Sequence, residues 1–161
     1  MTAADFRSLG KFEQGALIAG AVSFILSFFS TYIRISLDGA NTMPGMDFSA
    51  GSSAWTSYAT LGILLVIAAT AIVAVKAFAT ESLPAGIPWN LAALAAAGLG
   101  TFLIIIRAFT IGGGGSGVNV GPGWSGWLLF LSTIALTAFT ALSFKASGEK
   151  VTEIGKDKPA T

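Results

Sequence analysis

Residues 55–75 read WTSYATLGILLVIAATAIVAV, a stretch that holds no charged side chain and closes on Lys76. A bilayer's hydrocarbon core is about 30 Å thick and takes about 20 helical residues to cross. The stretch has that length, so it reads as a helix whose solvent is lipid. Three more stretches share its character: Gly15–Ile33, Trp89–Ile106 and Trp124–Phe144. All four run for 18 to 21 residues without a charge. The predicted class is therefore an all-α integral membrane protein, a bundle of four transmembrane helices. Residues 1–14 form a cytoplasmic N-terminus, 15–145 the transmembrane domain, and 146–161 a charged cytoplasmic tail.

The remaining composition narrows the chemistry. Only 11% of the 161 residues are charged, against about 25% in soluble domains. The chain has no Cys and no His. That argues against haem, iron–sulfur and most zinc sites, and against a His general base. A net charge of +1 gives no signal for nucleic acid. Proton relays and ion pathways use ionisable residues inside the membrane, and the four stretches have none. No cofactor, metal or catalytic residue is expected, and the chain reads as a non-enzyme. Met43 and Met46 without His or Cys make a poor copper site. The run Gly112–Gly117 lacks the Lys-Ser/Thr of a phosphate-binding loop.

Basic residues set the orientation. Arg7, Lys11, Lys76, Lys145, Lys150, Lys156 and Lys158 fall on one side, and Arg34 and Arg107 on the other. Both termini are then cytoplasmic. Tyr32, Trp55, Tyr58, Trp124 and Trp127 cluster at the outer ends of the spans, the headgroup level that suits a half-buried polar ring. Arg7 and Lys11 before the first apolar run resemble a signal peptide's start, but the run continues through bulky aromatics to Arg34, so it reads as a retained first span.

The halves align. Each reads as a span, an Arg, a Gly-rich loop, a Trp, a span and a Lys, with 21 residues from Trp55 to Lys76 and 21 from Trp124 to Lys145. Two tandem helical hairpins in a parallel repeat fit this pattern. So does any four-span chain that obeys the charge and aromatic rules.

Helices in lipid associate through close packing and polar contacts. Gly15 with Ala19, and Ala92 with Ala96 and Gly100, form smooth faces. Thr133, Thr137 and Thr140 share a face of the last span and are candidates for hydrogen bonds across the bundle. On the outer side, Arg34 and Arg107 stand against the charge rule. They are candidates for contact with a lipid phosphate or a partner's carboxylate, with Asp38 and Asp47 as local acids and Trp55, Trp124 and Trp127 around them.

Two sequences recur in a known setting: Ser27-Phe28-Phe29-Ser30-Thr31-Tyr32, where the first span ends, and Gly126-Trp127-Leu128-Leu129-Phe130, where the last begins. With the Gly-rich outer loops, they make residues 15–145 resemble small four-span actinobacterial membrane proteins, including the family around a mycobacterial antigenic membrane protein. That antigenic protein carries a long Pro/Gln-rich cytoplasmic tail, where this chain has a short charged one, so the resemblance does not carry over any role of that tail. The resemblance implies a plasma-membrane protein of the cell envelope without known catalysis. The functional expectation is a non-catalytic accessory or scaffold subunit of a larger membrane complex, partnered by lipid and by another membrane protein or itself. The alternative is a self-assembling homo-oligomer that forms a pore or organises lipid.

Overall fold

The computed structural model describes residues 3–37, 49–111 and 117–149. A short helix α1 (Ala3–Ser8) leads into α2 (Lys11–Ser27). Strands β1 (Ile33–Leu37) and β2 (Ser49–Ser52) follow, then α3 (Tyr58–Phe78), α4 (Trp89–Thr110), β3 (Val118–Pro122) and α5 (Trp124–Ser147). Three helices, α3, α4 and α5, are long and apolar enough to cross a membrane. By length and composition they mark a membrane-embedded, multi-pass chain.

The four longer helices pack in cyclic order, each on two neighbours. The most extensive pairing is α3 with α4, followed by α2 with α5, and α2 with α3 is the least. The tightest packing therefore joins the two halves of the chain instead of lying within each hairpin.

Small residues make up much of the interior: Ala16, Ala19, Ala59, Ala69, Ala93 and Ala97 are buried, with Ser23, Thr133 and Thr140, beside larger ones such as Ile63, Ile104, Leu129 and Leu136. The outside is large: Ile25, Leu99, Phe102 and Leu131 are 58% to 65% exposed. Lipid tails are as apolar as Leu, so hiding big side chains gains nothing and close backbone approach gains dispersion. At the α3–α4 crossing, a Cβ on Gly100 would stand 2.7 Å from the Gly62 carbonyl oxygen.

Polar groups inside are bonded across helices. The Thr101 hydroxyl donates to the Thr133 carbonyl at 3.1 Å and lies 3.0 Å from the Thr137 hydroxyl. The Ser23 hydroxyl meets Ser132 at 2.9 Å. Thr140 turns back on its own helix, to the Leu136 carbonyl. Of the small-residue face expected on the third stretch, Gly100 is buried, while Ala92 and Ala96 are only half-buried; Ala93 and Ala97, one residue on from each, are the buried alanines. Gly15 lies against the Phe139 ring and Gly20 against Thr70.

The first apolar stretch divides. Helix α2 starts at Lys11 and stops at Ser27, so residues 28–32 turn and Ile33 begins a strand. Ile33, Ile35 and Leu37 alternate with Arg34 and Ser36, the period of a half-buried strand. Strand β1 lies between β2 and β3, antiparallel to both. A small sheet drawn from both loops thus caps the helix ends, an element the all-helical expectation did not contain.

At the opposite end, Gly148 adopts φ 71° and ends α5 in the left-handed region, the usual glycine stop. The chain turns so that the Glu149 carboxylate accepts from the Asn90 side-chain amide at 2.7 Å and from the Leu91 backbone N–H at 3.3 Å. Lys76 donates to the Asn90 side-chain oxygen. Helix α4 begins after Pro88, with no side-chain cap of its own. A carboxylate from the tail satisfies one of its orphan donors and meets the positive end of its dipole. In Glu149→Gln, the loss of about 0.3–1 kcal/mol should raise hydrogen exchange at the Leu91 amide about two- to fivefold. Unchanged exchange would show that the charge contributes nothing there.

Candidate functional site

The sheet end is assembled around residues 28–32. Three successive carbonyls there each meet a glycine from a different place. A Cβ on Gly51 would stand 2.1 Å from the Ser30 oxygen, one on Gly123 2.0 Å from the Thr31 oxygen, and one on Gly126 2.5 Å from the Tyr32 oxygen. The Gly123 N–H donates to the Tyr32 carbonyl at 3.0 Å, and the Ala54 N–H to the Ser27 carbonyl at 3.4 Å. The Thr31 hydroxyl donates to Ser125 at 2.8 Å. Tyr32 is fully buried and donates to the Ile104 carbonyl of α4 at 2.5 Å. These contacts tie the sheet to α2, α4 and α5.

Cross-strand partners share a face of a sheet. On one face, Ile33 stands opposite Pro122, and Ile35 opposite Ala50 and Val120. Ile33 is buried, and Ile35 and Val120 pack against the core. On the other face, Arg34 stands opposite Gly51 and Gly121, and Ser36 opposite Asn119. The sheet is amphipathic, with its apolar face on the helix ends.

An aromatic rim surrounds it. Trp55 donates from its indole N–H to the Ser27 hydroxyl at 3.1 Å and lies 5.5 Å from the Phe28 ring. Trp124 meets Phe29 edge-on at 5.4 Å. Trp127 meets Phe130 at 5.7 Å and Phe109 at 6.4 Å.

The two arginines hold different positions. Arg34 is an exposed strand residue. Arg107 is half-buried in the last turn of α4, where a cation suits the helix dipole. Its guanidinium lies 5.4 Å from the centre of the Tyr58 ring, within cation–π reach. Its Nε is buried without a hydrogen-bond partner among the described residues. The Tyr58 hydroxyl is bonded to Thr110 on the same side. Asp38 and Asp47, expected as local acids, lie outside the described residues, as do Met43, Met46 and residues 112–116 of the glycine run.

Two depressions meet at Arg34. One, of about 440 Å³, runs past Ser30, Thr31, Gly123, Trp124 and Trp127. The other, of about 250 Å³, runs past Ser36, Asn119 and Gly121. Sequence reading singled out Arg34, Trp124 and Trp127 but missed Ser36 and Asn119. The signal for both was the two-residue alternation of Ile33–Leu37 and Val118–Val120. No group of three or more metal-ligating side chains occurs among the described residues.

Fold and site together define a multi-pass membrane protein with a β-capped helix end. Comparison with protein families, with curated proteins and with solved structures finds no match.

Proposed function

We propose that the chain is a non-catalytic interaction protein of the membrane, an accessory or scaffold subunit that docks on a larger membrane complex through its β-capped end. The observation that carries this reading is the sheet itself. A polar face, seated on residues 30–32 by close glycine contacts and tied by hydrogen bonds to α2, α4 and α5, stands at the end of the helix bundle. Beside it, the interior offers small apolar and hydroxyl side chains bonded to one another.

The four-span bundle belongs to this reading. Ile18, Phe24 and Ile25 of α2 are 44% to 60% exposed, the same outward apolar surface that α3, α4 and α5 present. A fourth crossing by α2 would dispose of that surface in lipid. It would also place both chain ends on one side, and the seven-to-two division of basic residues supports the cytoplasmic side of a bacterial plasma membrane. The likeness to actinobacterial four-span proteins is of a piece with this.

The test places a photocrosslinking residue at Ser36 on the sheet face and, as a control, at Leu131 on the lipid face. Expected is one membrane protein captured at fixed stoichiometry from Ser36 alone. A monomer in mild detergent that crosslinks to nothing from Ser36 overturns the reading. Capture of identical subunits in a closed ring replaces it with the self-assembling alternative.

A further inference from the structure

Arg34 is a cation without a charged neighbour among the described residues that line its surroundings. Its directly opposite partners are Gly51 and Gly121, so no side chain stands directly across from it on either strand, and its nearest polar neighbours in the smaller depression, Ser36 and Asn119, are uncharged. Among the described residues no hydrogen bond or ion pair holds it. The residues that line the two depressions meeting there carry no other charge. A guanidinium left unpaired among the described residues presents its planar fork of donors to an anion.

The surroundings say which kind of anion. The larger depression opens toward the indoles of Trp124 and Trp127, each 55% exposed. Trp favours the boundary between hydrocarbon and headgroups. Below it, α5 continues the same side with Leu128, Leu131 and Ile134, exposed by 44%, 65% and 49%. Positions 124, 127/128, 131 and 134 follow the helical repeat, so they form one apolar stripe. A polar depression with one cation, opening onto an apolar stripe down a membrane-length helix, matches a molecule with a charged head and a long tail.

We propose that this groove binds an anionic phospholipid, with its phosphate on Arg34 and an acyl chain along Trp124, Leu128 and Leu131 of α5. Arg107 takes no part, because its guanidinium lies over the Tyr58 ring and does not line either depression. A zwitterionic headgroup brings its own cation and gains less from Arg34.

The test is native mass spectrometry of the full chain in mild detergent, with phosphatidylglycerol and phosphatidylcholine as probes. Basic residues near a membrane surface are worth about fivefold each in attraction to anionic lipid. Wild type should hold phosphatidylglycerol about fivefold more than Arg34→Gln does, with Arg34→Lys in between and phosphatidylcholine indifferent to all three. Lys145→Gln, at the far end of α5, should match wild type. Equal phosphatidylglycerol retention by wild type and Arg34→Gln overturns the proposal. An equal loss in Lys145→Gln does so too, by making the effect one of net charge. Displacement of the lipid by millimolar inorganic phosphate would assign the site to a free anion and overturn the lipid assignment. Unchanged intrinsic fluorescence in Arg34→Gln confirms that the sheet end stays folded. Because these readouts need no protein partner, a negative result here leaves the docking role at Ser36 standing, and the reverse.

Discussion

Gly123→Ala should lower the denaturation midpoint of the protein in detergent by roughly 5–10 °C, while Gly121→Ala, two residues earlier, should leave it unchanged. The difference is steric. A Cβ on Gly123 would lie 2.0 Å from the Thr31 carbonyl oxygen, whereas one on Gly121 meets nothing within 4 Å. Backbone cannot swing aside as a side chain can, so the chain must part at this point. Gly123 has φ −79° and ψ −177°, an extended conformation open to any residue. The requirement is therefore space alone. Parting the chain also stretches the Gly123 N–H bond to Tyr32 and disturbs the cap of α5, where Ala is a poor residue. Overpacking costs about 1–3 kcal/mol. With the lost bond and cap, about 2–3 kcal/mol is expected, and a chain of this size shifts by about 2–4 °C per kcal/mol. The four tryptophans give the readout, since Trp124 adjoins the substitution. Equal midpoints for the two variants would mean that the sheet is not seated on residues 28–32 as described.

What could be read from the sequence follows from how local each signal is. The starts of α4 at Trp89 and α5 at Trp124 coincide with the expected ones, because Pro88 and Gly123 mark them in the chain itself. The ends do not. Helix α4 continues past Arg107 to Thr110, since a cation in the last turn is favourable and its long stem lets the charge rest on Tyr58. Helix α3 begins at Tyr58 instead of Trp55. The Trp55 indole is held by Ser27, 28 residues earlier, and Ser57 stands at φ 54°, outside helical geometry. The first stretch looked continuous because Phe28, Phe29, Tyr32 and Ile33 are as apolar as the helix before them. Hydropathy does not distinguish a helix from a buried turn and strand, and only the alternation after Tyr32 does.

The repeat illustrates the same limit. By position β3, just before α5, corresponds to β2, just before α3. Yet β3 pairs with β1, on the edge away from β2. A repeat in topology does not dictate which strands join. The tail contact was likewise invisible. Glu149 and Leu91 are 58 residues apart, and neither belongs to a motif. In the candidate site, Arg34 stood out because a charge on the outer side breaks a rule. Its two glycine neighbours across the sheet could be found only through strand register.

Gly100→Ala and Gly98→Ala should move stability in opposite directions. Both positions lie in α4, so both gain about 0.5–1 kcal/mol of helix propensity from Ala. At Gly98 the new methyl would reach only the Thr137 methyl at 4.0 Å, an ordinary contact, and the gain should survive. At Gly100 it would stand 2.7 Å from the Gly62 carbonyl oxygen and 3.0 Å from a Val66 methyl. Helix α4 must then retreat from α3 along the most extensive helix pairing in the protein. Attraction in lipid comes from contact at short range and falls away within an ångström of separation. A net loss of about 1–3 kcal/mol is expected, read as a lower midpoint in unfolding by sodium dodecyl sulfate, with Gly98→Ala shifted the other way. Gly62→Ala meets the Gly100 carbonyl at 2.9 Å and should cost about as much alone. The double variant should cost less than the two together, because one retreat of the helices relieves both clashes. Strict additivity would place the two glycines in separate contacts and dissolve the crossing point on which the α3–α4 packing depends.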